Sequence, residues 1–302
     1  MSILVVGSVA FDTIKTPFGE AKDILGGSTS YFALAASHFT QVNVVAVVGE
    51  DFTDRERAAF EGRSIDLAGL EVAPGRTFRW GGEYSFDLNE RTTLFTELNV
   101  FEKFAPRIPD SYRRSELVFL GNIHPDLQKD VLRQVERPRL VALDTMNYWI
   151  ERTPNELRRV LPEIDALVIN DAEARQLSGE HNLVKAAEAI RRLGPKLLVI
   201  KRGEYGVLLF NEDRRFAAPA YPLEDVFDPT GAGDTFAGGF MGYLAQQGDL
   251  SDGALRQAIV FGSTLGSFCV EEFGCDRLRS LTRGEIAARF REFKRLTHFE
   301  DL

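Results

Sequence analysis

Six short apolar runs constrain this chain most: Ile3 to Val6, Val44 to Val48, Leu117 to Leu120, Leu140 to Leu143, Ala166 to Ile169 and Leu197 to Ile200. They are near-continuous in Val, Ile and Leu, and Gly, Asn or Asp bounds most of them. Runs of that kind suit strands buried on both faces. Helix-like stretches lie between most of them, such as Asp126 to Val135, Asp171 to Leu177 and Leu183 to Leu193. The alternation predicts an α/β fold with a largely parallel central sheet flanked by helices. In such sheets ligands gather at the carboxyl ends of the strands. The residues directly after each run are therefore the ones to search.

The length of 302 residues permits one large domain, or one with an appendage. A net charge of −9 with no Lys/Arg block argues against nucleic acid and membrane surfaces as partners. No apolar run approaches the ~20 residues needed to span a bilayer. The first apolar run has no basic region before it and reads as a strand, so a cytoplasmic location is expected. Cys269 and Cys275 are too few for a disulfide framework and read as buried thiols. The four histidines show no metal-ligand spacing.

The richest chemistry follows the last of the strand-like stretches, in Asp228-Pro229-Thr230-Gly231-Ala232-Gly233-Asp234 and the apolar, small-residue run Thr235 to Phe240. Glycines let backbone approach a ligand closely. Amides of a turn that opens into a helix point outward and favour an anion. Asp228 and Thr230 can bond loop amides and hold the turn. A carboxylate on the first helical turn repels a phosphate but suits a hydroxyl that attacks one. The string is not a dinucleotide fingerprint, because Phe236 takes the place of a third glycine. It is not a Walker A loop either, since the chain has no Gly-Lys pair.

Asp228 to Phe240 closely resembles the C-terminal signature of the ribokinase-like (PfkB) carbohydrate and nucleoside kinases. The resemblance implies that the amides of Gly231, Ala232 and Gly233 receive the transferring phosphoryl group and that Asp234 is the catalytic base. It extends over almost the whole chain. Asp12 and the Gly26-Gly27 pair would hold a small polyhydroxy substrate. Asn170 and Glu173 fit the family's Asn-x-x-Glu motif, which organises Mg²⁺ and phosphate, although a plain helix cap explains them as well. Lys201, Gly203 and Gly206, with Thr230, would border ATP. Ala10, Ser28 and Tyr31 stand where ribokinase itself carries Asn, Lys and Asn, which argues against D-ribose and looks more like the nucleoside- and inositol-kinase branches. Asp144 and Asn147 are possible site-wall residues. His124 reads as structural.

Two segments, about 11–24 and 75–104, differ in texture. Thr77 to Trp80 and Glu83 to Phe86 alternate polar and aromatic residues, and Arg91 to Phe95 follows after Asp87 to Glu90. They predict antiparallel strands joined by a hairpin, resembling the family's small β-sheet lid; a homodimer through that lid is compatible with it. The whole of 1–302 then reads as a single kinase domain. Further on, Gly274 is expected to cap the helix Ala254 to Val270, and Thr282 with Glu285 to make a capping box. The expected activity is ATP- and Mg²⁺-dependent phosphorylation of a hydroxyl on a small sugar, polyol or nucleoside. A catalytically idle sensor would not need Asp234. An oxidoreductase would need glycines that Gly7 to Asp12 lacks.

Overall fold

The structure, a computed structural model, describes residues 1–300 apart from Asn89, Asp213 and Phe299. In chain order the strands are β1 (Ser2–Val6), β2 (Ala10–Thr16), β3 (Gly19–Gly26), β4 (Gln41–Val48), β5 (Ile65–Val72), β6 (Phe78–Tyr84) and β7 (Arg91–Glu97). Then follow β8 (Leu117–Leu120), β9 (Leu140–Leu143), β10 (Ala166–Asn170), β11 (Leu197–Lys201), β12 (Val207–Asn211) and β13 (Arg214–Ala218). Each of the six apolar runs is a strand of one nine-stranded sheet, in the order β13-β12-β11-β10-β9-β8-β1-β4-β5. From β5 to β11 all neighbours run parallel, and β12 and β13 close the far edge antiparallel.

The runs are continuously apolar because both faces of this sheet are covered. Ile3 and Val5 of β1 enter one core, and Leu4 and Val6 the other. Leu117 and Phe119 of β8 divide from Val118 and Leu120 in the same way. The first core packs under the helices Ser28–Ala36, Ala232–Gln247 and Asp252–Cys269, where Phe32 stacks on Phe119 with ring centroids 4.4 Å apart. Gly238 lets the helix Ala232–Gln247 press directly on the backbone at Phe32, where any side chain would collide. The second core is formed with the helices Pro125–Leu132, Pro154–Val160, Asp171–Ser178 and Leu183–Arg191.

The segments of different texture form a separate four-stranded sheet, β3-β2-β6-β7. β6 and β7 pair antiparallel as the alternation predicts, while β2 lies parallel to β6. Asn89 of the expected hairpin turn lies outside the described residues. β5, which carries no continuous apolar run, was not foreseen; it is the partly covered edge of the large sheet. The capping box Thr282–Glu285 is present. Gly274 is a correction. The helix ends at Cys269 with Val270 as its cap, and Gly274 sits beyond it at φ +60°, its N–H donating to Asp228. Among the described residues no helix is long and apolar enough to cross a membrane.

Candidate active site

The loop Asp228–Gly233 is built from inside out. Asp228 is fully buried, and its two carboxylate oxygens accept from the N–H of Thr230 (2.8 Å) and of Gly274 (2.9 Å). Gly231 follows in the left-handed region at φ +74° and caps the helix Ala232–Gln247. A Cβ on Gly231 would stand inside the ring of Tyr31, itself fully buried. The loop is therefore held from below by an aromatic ring and from behind by Asp228. Its first-turn amides face outward with the positive end of the helix dipole behind them.

Asp234 lies on that first turn. Burial, then the nearby Asp144 carboxylate, push its carboxyl up to about 7, against the lowering effect of Lys201 and Arg91. Lys201, Asp144 and Asn170 come together because β9, β10 and β11 are adjacent and parallel, so their carboxyl ends lie side by side. Lys201 Nζ is 3.9 Å from Asp144 and sits where a Cβ on Gly233 would point, at 2.8 Å. The fields of Asp144, Glu173 and Asp234 raise its pKa, opposing the effect of burial. Asn170 and Glu173 form a reciprocal cap: each backbone N–H donates to the other's side chain at 2.8 Å. Burial and Asp144 push the Glu173 carboxyl up to about 7.

Asp12, Gly26 and Gly27 also meet. Asp12 is 4% exposed, its carboxylate lies against Gly26, and the Gly27 N–H donates to it. A side chain at Gly26 would occupy the carboxylate's own position. Burial first, then Asp228, push the Asp12 carboxyl up to about 7. Ser28 and Tyr31 are committed to the scaffold: Ser28 and Ser8 exchange backbone-to-hydroxyl bonds of 3.3 and 3.1 Å, and Tyr31 underlies Gly231.

The remaining residues divide. Thr230 holds its place through its backbone, while its hydroxyl meets Tyr84 Oη of the lid at 3.0 Å. Gly203 and Gly206, at φ +53° and +84°, form a tight turn between β11 and β12 at the cleft end of the sheet. Asp144 joins the cluster, but Asn147 is exposed at a helix start. His124 caps the helix Pro125–Leu132. Sequence reading missed Tyr84 and Arg91. Alternation marks β6 as a strand, but only its pairing shows which of its residues face the cleft.

Comparison with known proteins shows the family and the fold. The model for "pfkB family carbohydrate kinase" matches residues 2–281. A cytidine kinase of Thermococcus kodakarensis is 30% identical over 248 residues, 80% of this chain and 87% of that protein. The nucleoside kinase of Methanocaldococcus jannaschii, an archaeal member of the ribokinase family, superposes with a TM-score of 0.76 at 20% identity, covering 96% of this chain and 98% of that one. A putative ribokinase II from E. coli in complex with ATP and Mg²⁺ superposes at 0.77 and 18% identity, covering 98% and 99%.

Proposed function

This chain belongs to the pfkB family of carbohydrate kinases, and on that premise we propose that its acceptor is a nucleoside and that Asp234 is its catalytic base. The chain is an ATP-dependent kinase acting on a hydroxyl of a sugar, polyol or nucleoside. Two observations favour a nucleoside within that range. One is the likeness to the T. kodakarensis cytidine kinase. The other is the lid, which brings the Trp80 indole, packed across Gly82 with Arg91 over its ring, to the face shared with Asp12, an aromatic wall whose edge a base could pack against.

The observation that carries the mechanism is the placement of Asp234 one turn beyond the Gly231 cap, beside Lys201 and Asp144. Asp234 takes the proton of the acceptor hydroxyl. The oxygen–phosphorus bond forms, the bond from the γ-phosphorus to the bridging oxygen breaks, and its electron pair leaves with ADP. The amides of Gly231, Ala232 and Gly233 receive the charge on the transferring group, with Lys201 beside them. Asp12, held by Gly27, accepts from acceptor hydroxyls. Thr230 anchors the loop, and the Gly203–Gly206 turn borders the nucleotide.

The donor set fits Mg²⁺. Asp144, Glu173 and Asp234 carry more negative charge than Lys201 and Arg91 offset, and Glu173 keeps one oxygen outside its cap. Asn170 and Glu173 would meet the ion through water. An ion held there with ATP would neutralise phosphate charge. Among the described residues no three His, Cys, Asp or Glu side chains are grouped so as to hold a metal ion, so phosphates and water would supply most of the ion's ligands. The four-stranded sheet belongs to the same kinase unit and covers the cleft, and a cytoplasmic enzyme fits this reading. Its exposed Leu94 and Phe86 suit a dimer formed through the lid.

The test is ATP turnover with Mg²⁺ against cytidine, other nucleosides, ribose, fructose and inositol, with products identified by mass. A nucleoside monophosphate as the preferred product is expected; preference for a free sugar or polyol would refute the nucleoside reading. The pH dependence gives a second check. Asp234 acts only as the carboxylate, and its carboxyl sits at about 7. The ratio kcat/KM is therefore expected to rise through about pH 7 and level off above it. A profile flat down to pH 5 or so would exclude Asp234 as a base with a raised pKa.

A further inference from the structure

A glutamine in the interior makes two hydrogen bonds that packing does not call for. Gln128 lies one turn into the helix Pro125–Leu132, on its buried face with Pro125 and Val131, and is 1% exposed. Its Nε2 donates to the carbonyl oxygens of Gly121, at 2.9 Å, and of Asp144, at 3.0 Å. Both neighbours are acceptors, so the amide can stand only this way round. Its own Oε1 is buried and, among the described residues, meets no donor. A leucine or methionine would fill the space without that penalty, so the side chain is not there to pack. Gly121 does not depend on it, because its carbonyl already accepts from the Ile123 N–H at 2.8 Å. The bond left to explain is the one to Asp144.

Asp144 follows β9 into the cleft, and one peptide unit sets its carboxylate. The Asp144 N–H donates to Leu120 O at 2.9 Å, which continues the β8–β9 ladder. The next peptide plane holds the Asp144 C=O and the Thr145 N–H rigidly together. Gln128 grips the C=O side, and the N–H side donates to Asp144 Oδ1 at 2.8 Å. The other oxygen, Oδ2, faces Lys201 Nζ at 3.9 Å, and that ammonium stands against Gly233. The two side chains are only 10% and 17% exposed. Rotation of this plane therefore changes their attraction with little screening by water.

We infer that Gln128 is a positioning residue for phosphoryl transfer: it fixes the 144–145 peptide plane, aims the Asp144 carboxylate at Lys201 and so holds the ammonium beside Gly233. This rests on the assignment of the Gly231–Gly233 loop and Asp234 proposed above. Gln128 itself touches no reacting atom. With the amide gone the plane is free to turn, the carboxylate swings off Lys201 and the ammonium loses its place at the loop. Asp144 raises the Asp234 carboxyl more than Lys201 lowers it, so freeing both lets its pKa fall.

The test is Gln128→Met, which keeps the length and removes the donor. Beside it run Gln128→Glu, Asp144→Asn, Asp234→Asn and Val131→Ala, with whichever acceptor the wild type turns over fastest. Gln128→Met is expected to lose about 10- to 100-fold in kcat, with the acceptor KM moved by less than about threefold. The acid limb of its kcat/KM profile should move down by about half a pH unit or more. Gln128→Glu, whose buried neutral carboxyl has one donor in place of two, should lie between. In the Asp144→Asn background the same methionine should cost less than about threefold, because its effect passes through that carboxylate. Val131→Ala loosens the same helix face without touching either carbonyl, and should keep both kcat and the acid limb while its Tm falls. If Gln128→Met does not fold, the cycle with Asp144→Asn is run with Gln128→Glu. Wild-type kcat with an unmoved acid limb, full additivity with Asp144→Asn, or an equal loss in Val131→Ala each overturn the inference, while an inactive Asp234→Asn leaves the base in place. If Asp234→Asn keeps full turnover, the reading of the site fails and the role of Gln128 fails with it.

Discussion

Asp234→Asn is expected to lower kcat by about 10²–10⁴-fold and, at pH 8, to make the protein more stable. The first effect follows from removing the proton acceptor while keeping its shape. The second follows from the direction of its pKa. In the folded chain the carboxyl is raised from 3.8 to about 7, first by burial and then by Asp144. Below about pH 4 the folded and unfolded states both hold the proton, and the group costs nothing. Between about pH 4 and 7 the unfolded chain gives it up first, so stability falls as pH rises; above about 7 the whole penalty is present. A neutral amide removes that penalty at pH 8. After allowance for partial exposure the gain is on the order of 1–2 kcal/mol, or a few degrees in Tm. Calorimetry at pH 8 and at pH 5, together with single-turnover kinetics, tests both parts. A variant that is dead and also less stable at pH 8 would mean that Asp234 holds the fold together and that its electrostatic strain is misassigned.

Gly231→Val is expected to abolish most activity by another route. The residue at 231 must adopt φ +74°, and its side chain would have to enter the Tyr31 ring, which has no room to move. Backbone strain of this kind costs about 1–3 kcal/mol, and displacing the loop removes amide donors worth about 10²–10³-fold in rate. Gly233→Ala is the informative contrast. Its new methyl meets only the end of the Lys201 side chain, at 2.8 Å, which can swing away. It should therefore fold at nearly wild-type stability and report on the ammonium alone. Wild-type kcat in Gly231→Val, with its fold confirmed by circular dichroism, would exclude the loop as the phosphoryl site.

Both predictions concern residues that the sequence places without help, and the reason is locality. Asp228 to Asp234 lie within one turn and the start of one helix, so their geometry depends on glycine torsions and helix amides that a short string determines. The strands were legible for a related reason. Residues buried on both faces must be apolar throughout, and that pattern does not depend on which strand is the neighbour. Asp12 with Gly26 and Gly27 was legible from family likeness, and their meeting across β2 and β3 rests on the register Ala10↔Gly26.

The rest was decided by tertiary structure. Lys201 and Asp144 are 57 residues apart in sequence and meet because β10 alone separates their strands, an order no local pattern encodes. The inner face of the lid depends on pairing between β6 and β7, whose register shifts at Gly81/Gly82. A shift of one residue turns every side chain to the opposite face. Trp80, Tyr84 and Arg91 thus look alike in the sequence whether they line the cleft or face solvent. By itself the sequence determined the fold class and the glycine turn that opens the helix carrying Asp234, because those are set by neighbours along the chain. The lysine beside that loop, and the burial and the Asp144 carboxylate that raise the Asp234 pKa, come from strand order and register, which only the folded chain sets.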